Sequence, residues 1–497
     1  MRLKLKVALL GAFVVALATA VPAAAFTPQN TYYAKQWYLA TDHAFTAWPD
    51  APPANLAPVK IAIVDSGVDC TLPDFQGRIA ASHSFVGGSA CTDSIGHGTI
   101  VAGEIAGNLG TNGVVGIAYS AKLLVAKVVR SDGTIGLGAE AAAIEWAANQ
   151  GARVINLSLG GVRDPNDPRI DSYSKLEANA VAYAYRKGAV VVAAVGNADE
   201  ASAPTWPYAD YPAALPHVIG VAALDKSGDV PGFSDYDPRY VDIAAPGVDT
   251  FSTFPSALTL LQKGCTPQGY TDCADADYVH PEGTSFAAPQ VSAAAAVLFA
   301  LDPLLTNSQV TAILEQTADD VTPATGCPLC SVGRDAYSGW GQLDVAKAVA
   351  RVQSGSLPVS ERFESNDDVP QAFSVGGRRS IKATIDYYDD PWDVYKVKLA
   401  KGQKITLRSS AKWPATKLGL RLWRPGTRTV LRGALWRERV AASLHAGSTE
   451  KIVYRAAKAG WYYIEVKAGV GGSGSYTLRL TKTKPPKAKA KPKPKRA

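Results

Sequence analysis

Gly283-Thr284-Ser285-Phe286-Ala287-Ala288-Pro289-Gln290 opens an alanine-rich run that ends near Leu301. The run is apolar on every side, which predicts a helix buried in a core and not one lying at a surface. Leu301-Asp302-Pro303 supplies its stop, because proline lacks the amide donor and clashes with the preceding turn. Ser285 stands where a glycine turn feeds the helix, at the end where the helix dipole favours negative charge. A hydroxyl there suits stabilisation of an anionic intermediate. The plainer use for such a serine is as an N-cap.

A helix apolar all round has to be surrounded, so the rest of the chain must supply layers. Residues 59–64 form a β-rich run that ends at Asp65-Ser66-Gly67. Further strands are predicted over 123–129, 154–157, 189–194, 218–223 and 241–244. Helices over 139–149 and 176–187 lie between them, closed by Gly151 and Gly188. Near-continuously apolar strands separated by helices predict an α/β three-layer sandwich with a mainly parallel central sheet. Ligands bind such sheets beyond the carboxyl ends of the strands. Asp65, Ser158 and Asn197 all fall just past predicted strand ends.

At 497 residues the chain is too long for one core. With 47% apolar and 19% charged residues it is globular and not disordered. Residues 1–25 read as a secretory signal peptide, with Arg2, Lys4 and Lys6, an apolar stretch over 7–21, and Ala23-Ala24-Ala25 as cleavage site. The apolar stretch is too short to span a membrane. No other run approaches that length, so the expectation is an exported, extracellular protein with no transmembrane segment. Residues 26–352 form the first domain and 353–360 a linker. Short alternating runs over 361–481, separated by turn signals such as Lys401-Gly402, predict a β-sandwich. Residues 482–497 are a Lys/Pro-rich basic tail, expected to be extended.

Six cysteines agree with an oxidising compartment. Six thiols leave fifteen pairings open; the local ones join Cys70 to Cys91, Cys265 to Cys273 and Cys327 to Cys330. Cys327-Pro-Leu-Cys330 lies in a loop-like stretch, which favours a structural bridge over a redox motif. The charge is uneven. Residues 361–481 carry 22 Lys and Arg against 11 acids, and the tail carries eight bases and no acid, although the whole chain is only +7. The front of the protein is therefore acidic and its back basic, which suits contact with an anionic cell-envelope polymer. No nucleic-acid motif accompanies the basic residues, so nucleic acid is not an expected partner.

Three signatures carry chemistry. Val64-Asp65-Ser66-Gly67 ends a strand with a carboxylate, Gly96-His97-Gly98-Thr99 opens an apolar segment with a histidine, and Gly283-Thr284-Ser285 opens the buried helix. An alcohol becomes a nucleophile when a base takes its proton, and an imidazole suits that task. A buried carboxylate can hold the imidazole in one tautomer and support its charge. The flanking glycines are expected to let a substrate backbone approach closely. Gly283 stands two residues before Ser285, but Ala287 stands two after it, which excludes the nucleophile elbow of α/β-hydrolases.

In this order, and with Ser158-Leu159-Gly160-Gly161 and Ala193-Ala194-Val195-Gly196-Asn197 between them, the motifs resemble those of subtilisin-like serine proteases (subtilases) over residues 30–349. The resemblance implies the subtilisin-like fold and a secreted serine endopeptidase with Asp65, His97 and Ser285 as triad and Asn197 as oxyanion donor. It also implies an acyl-enzyme intermediate, no cofactor for the chemistry, and a monomer. Ser158, Leu159 and Gly160 would pair with an extended substrate peptide. Asp210, before Tyr211-Pro212, would lie at the floor of the S1 pocket and favour Lys or Arg at P1. Asp74 and the 108–114 loop match a structural calcium site of the family.

Phe286 replaces the family's commoner methionine, and Ile100 stands where a second histidine often follows. The long interval from Asn197 to Ser285, with Cys265 and Cys273, implies a surface insertion. Only 39 residues lie between the predicted cleavage site and Asp65, fewer than the usual N-terminal pro-domain needs. Residues 361–481 resemble the bacterial pre-peptidase C-terminal domain through Glu364-Ser365-Asn366-Asp367-Asp368, Asp393-Val394-Tyr395-Lys396-Val397 and Ala459-Gly460-Trp461-Tyr462-Tyr463. The rival expectation is a catalytically inactive subtilase scaffold that binds the cell envelope through its basic C-terminal domain.

Overall fold

The apolar runs of the first domain become the strands of one sheet. The structure, a computed structural model, describes residues 26–48, 56–110, 112–198, 206–261, 278–360, 363–411, 417–431, 434, 436–445 and 448–484. The signal segment, the Cys265–Cys273 pairing with its insertion, and tail residues 485–497 lie outside the described residues.

In chain order the first domain contains α1 (Tyr38–Thr41), β1 (Lys60–Asp65), β2 (Ile79–Ser84), α2 (His97–Ala106), β3 (Lys122–Lys127), α3 (Leu137–Asn149), β4 (Val154–Leu157) and α4 (Lys175–Arg186). It continues with β5 (Val190–Ala194), β6 (Val218–Leu224), β7 (Ile243–Pro246), β8 (Ser252–Thr253), α5 (Ser256–Leu261), β9 (Tyr278–Val279), α6 (Thr284–Leu301), α7 (Asn307–Thr317) and α8 (Val345–Gln353). Strands β1 to β7 form a seven-stranded sheet in the order β2-β3-β1-β4-β5-β6-β7. Every pairing in it is parallel.

Alternation along each strand serves two cores. Ile61, Ile63, Leu123 and Val125 pack with α2 and α6, whereas Ala62, Val64, Leu124 and Ala126 pack with α3 and α4. The arrangement is the expected three-layer α/β sandwich, with α6 buried along almost its whole length. Helix α6 is the one described helix long and apolar enough to cross a membrane, and it is enclosed within the protein. Within residues 26–48, Tyr38, Leu39, Phe45 and Trp48 enter the core.

Three elements escape the apolar pattern. β2 is an edge strand with half its residues exposed, so its sequence carries no apolar run. α7 and α8 are short, but each carries a start signal: a capping box from Thr306 to Gln309, and Asp344 accepting from the Lys347 amide. Disulfides join Cys70 to Cys91 and Cys327 to Cys330 as the local spacing suggests.

The C-terminal region contains β10 (Phe373–Ser374), β11 (Ser380–Asp386), β12 (Trp392–Leu399), β13 (Lys404–Ala411), β14 (Leu418–Trp423), β15 (Arg439–Ser443), β16 (Thr449–Arg455), β17 (Gly460–Ala468) and β18 (Ser473–Lys482). They form a five-stranded sheet, β10-β12-β17-β14-β15, and a four-stranded sheet, β11-β18-β13-β16. Tyr395, Leu420 and Ile464 from one sheet share a core with Ile381, Leu407 and Leu478 from the other. This sandwich rests on the first domain. His217 Nε2 lies 3.1 Å from Asp367 Oδ1, Arg334 stacks 3.5 Å from the Tyr388 ring centroid, and Arg239 lies over Tyr387 and Trp392.

Candidate active site

β1 ends on Asp65, which is 1% exposed and accepts the Ser66 amide at 2.6 Å. α2 begins on His97, whose Nδ1 lies 2.9 Å from Asp65 Oδ1 and 3.0 Å from Oδ2. A ring that gives its Nδ1 proton to the carboxylate keeps Nε2 as its basic nitrogen. The ring packs on Phe286, with centroids 5.2 Å apart.

The glycine after His97 serves packing within the protein. A Cβ on Gly98 would lie 2.1 Å from the Gly67 carbonyl oxygen and 3.1 Å from Asp65 Cβ. Glycine therefore lets the start of α2 press onto the end of β1, which brings histidine and aspartate together.

Asp93 holds that start, and nothing in its sequence surroundings points to it. Its Oδ1 accepts from Ser66 Oγ at 2.9 Å and from the Gly96 amide at 2.8 Å. Its Oδ2 accepts the Thr99 amide at 3.0 Å and the Thr99 hydroxyl at 2.7 Å. Burial pushes its carboxyl above the ordinary value, against the lowering effect of these donors.

Ser285 is the second residue of α6, not its N-cap. Gly283 takes the cap position at φ 143°, a conformation that admits no ordinary side chain, and brings no side chain of its own to cap the helix. Ser285 Oγ donates to the Ser158 carbonyl at 3.2 Å. Pro289, inside the helix, lacks the amide that would bond the carbonyl four residues back. That carbonyl belongs to Ser285, and Ser158 Oγ donates to it at 2.6 Å. Asn156 Nδ2 donates to Ser158 Oγ at 2.9 Å, and Ser292 Oγ to Asn156 Oδ1 at 2.8 Å. A buried polar chain thus ties the Ser285 backbone to the end of β4.

Asn197 follows β5, and its Oδ1 accepts the Thr284 amide at 3.0 Å and the Thr284 hydroxyl at 3.1 Å. The side-chain oxygen faces Thr284, so the amide nitrogen is turned the other way. Asp65, His97, Asn197 and Ser285 all line one cavity of about 520 Å³. Ser158, Leu159, Gly160 and Asp210 line it too, so the structure gathers the expected catalytic and substrate residues in one place.

Asp210 is 1% exposed, and its Oδ1 accepts the Arg163 amide at 3.2 Å. The Arg163 guanidinium pairs with Asp237 instead, at 2.8 Å. A second carboxylate stands beside it, because a Cβ on Gly196 would lie 2.7 Å from Asp210 Oδ2 and 2.4 Å from Asp235 Oδ2. Asp235 carries no sequence signal, since only folding brings its loop to Gly196.

Asp74 stays outside this cavity. Its Oδ1 accepts the Val114 amide at 2.9 Å and its Oδ2 the Tyr278 hydroxyl at 3.0 Å. The Asn108 and Val114 carbonyls accept from Asn30, the Gly113 carbonyl from the Tyr32 amide, and Asn108 Oδ1 from Arg78. With these oxygens already taking N–H and O–H donors, the described loop as arranged does not fit a calcium ion.

Residues 57–341 match the family model described as the subtilase family of peptidases. Thermitase of Thermoactinomyces vulgaris is 34% identical over 327 residues, covering 65% of this chain and 99% of that protein. A cell wall-associated protease of Bacillus subtilis is 34% identical over 310 residues, 58% of this chain and 30% of that much longer protein. Among solved structures, a protease of Pseudoalteromonas arctica superposes with a TM-score of 0.53 at 26% identity, covering 65% of this chain and 99% of that one.

Proposed function

The chain belongs to the subtilase family of serine peptidases, and from that premise we propose that it is a secreted endopeptidase acting on extended polypeptides. The observation that carries the proposal is the His97 Nδ1 contact with both oxygens of Asp65, in the cavity that Ser285 and Asn197 also line. Ser285 Oγ turns from the Ser158 carbonyl, attacks the scissile carbonyl carbon and passes its proton to His97 Nε2. Asp65 keeps His97 oriented and offsets the imidazolium charge. The tetrahedral oxyanion is met by the Asn197 side-chain amide and the Ser285 backbone N–H at the positive end of α6. Protonated His97 then returns the proton to the leaving amine, and water hydrolyses the acyl-enzyme by the same steps in reverse order of roles. No step calls on a cofactor.

Ser158, Leu159 and Gly160 supply the rim against which an extended peptide lies. Asp210, with Asp235 behind it, gives the cavity a negative end, which favours lysine or arginine at P1. The basic C-terminal domain and tail hold the enzyme at an anionic cell-envelope polymer outside the cell. This domain is the counterpart of the pre-peptidase C-terminal domains it resembles.

The intact triad contact and oxyanion asparagine favour an active enzyme over an inactive scaffold. Casein hydrolysis by the wild type and by Ser285→Ala, with labelling by a serine-reactive phosphonate, tests this. Hydrolysis should fall to background and labelling vanish in the variant; equal activity in both would rule the mechanism out.

A further inference from the structure

Where the two domains meet, carboxylates converge with too little positive charge to balance them. Asp242 precedes β7, Glu315 lies on α7, and Asp389 lies in the turn between β11 and β12. One oxygen from each lies within 4.8 Å of the others. Asp242 and Glu315 are buried in the peptidase domain, and Asp389 comes from the sandwich, half-buried.

The surrounding groups do not neutralise them. Asp242 Oδ2 accepts the Gly220 amide at 2.8 Å, and Oδ1 faces Arg334 Nη2 at 3.3 Å. That nitrogen also serves the Arg239 and Val241 carbonyls at 2.8 and 2.7 Å. Asp386 adds a further negative charge toward Glu315 and Asp389. Of the four carboxylates, Asp242 is the one that Arg334 pairs with. Glu315 Oε1 is buried and has no hydrogen-bond partner, while the Glu315 and Asp389 carboxyls lie within hydrogen-bonding reach of each other. Two carboxylates cannot face each other in a buried site without a proton or a cation between them.

We propose that Asp242, Glu315 and Asp389 bind one divalent cation of the hard, oxygen-seeking calcium class, and that this ion fastens the C-terminal sandwich to the peptidase domain. The three oxygens are close enough to be ligands of one ion, because ligands at about 2.4 Å from a calcium ion lie at most about 4.8 Å apart. The charge fits as well: a dication removes most of the excess in one step, where protons would have to be taken up singly by several acids. The neighbouring groups are less suited. Asp319 and Asp344 are bridged by the Lys347 ammonium, and Asp367 is met by His217. The ligands come from both domains, so the ion is held fully only when they are docked, and its binding free energy becomes docking free energy.

The test uses the full chain carrying Ser285→Ala, which removes self-digestion and does not depend on the peptidase reading. After chelation, bound calcium per chain is counted by equilibrium dialysis at neutral pH, and the calcium-induced rise in Tm is measured by calorimetry. The same is done with Glu315→Gln and, separately, Asp389→Asn added; the second lies on a half-buried turn and reads the site if the first fails to fold. One fewer calcium bound per chain and a smaller rise in Tm are expected in each variant. Equal calcium counts in variants and parent would overturn the proposal. So would a parent that binds no divalent ion, which would leave shared protons as the neutralising agent.

Discussion

A proline inside a buried helix removes one backbone donor, and at Ser285 that loss exposes a carbonyl which Ser158 takes up at 2.6 Å. Ser285 is thereby anchored from β4 through Asn156 and Ser292, not only from its own helix. The residues proposed as triad and oxyanion donor were legible in sequence because each stands at a glycine-marked end of an apolar run. Asp93, Asn156, Ser292 and Asp235 were not, since the contacts that tie them to the site reach remote segments: Asp93 to Ser66, Asn156 to Ser292, and Asp235 to Gly196. Asp210 shows the value of the added context, for a lone loop aspartate says little until it is seen lining the cavity beside Asp235. Asp210→Asn should lower kcat/KM for peptides with Arg at P1 by roughly tenfold or more, with a smaller effect on Leu peptides, as expected for loss of a buried charge pair. Equal losses for Arg and Leu peptides in a steady-state assay would remove Asp210 from the specificity pocket.

At the scale of elements, α3 and α4 share an acid pair that apolar patterning hides. Glu140 and Glu177 are both buried and lie against each other. Burial, and then the Glu140 charge, push the Glu177 carboxyl up to about 9. The folded state thus holds a proton that the unfolded state releases near pH 4.5. Stability from that proton is complete below the unfolded value and is lost as pH rises through about 9. Urea midpoints of Ser285→Ala protein should therefore fall between pH 6 and pH 9, and adding Glu177→Gln should flatten that fall. An identical decline with and without the substitution would show that the seam carries no shared proton. The helices were readable from their apolar spacing, but the pairing of their acids depends on the packing angle between them.

Across the whole molecule, charge divides the chain into an acidic front and a basic back. If the basic part docks on an anionic polymer, Ser285→Ala protein should elute from dextran sulfate at moderate salt, because such attraction is screened within about 10 Å at 0.1 M. Removal of residues 482–497, which carry eight bases, should shift elution to clearly lower salt. Unchanged elution would assign no such role to the tail.

The amino-acid sequence alone determined the alternation of buried strands and helices, the family's motifs and the change to short β runs after residue 352, since these rest on local pattern and residue type. Only the tertiary structure decided that Ser285 sits within its helix and not at the cap, that Gly98 lets α2 press onto the end of β1, and that acids from two domains converge. Each of those depends on distances between segments remote in sequence, which periodicity and propensity do not encode.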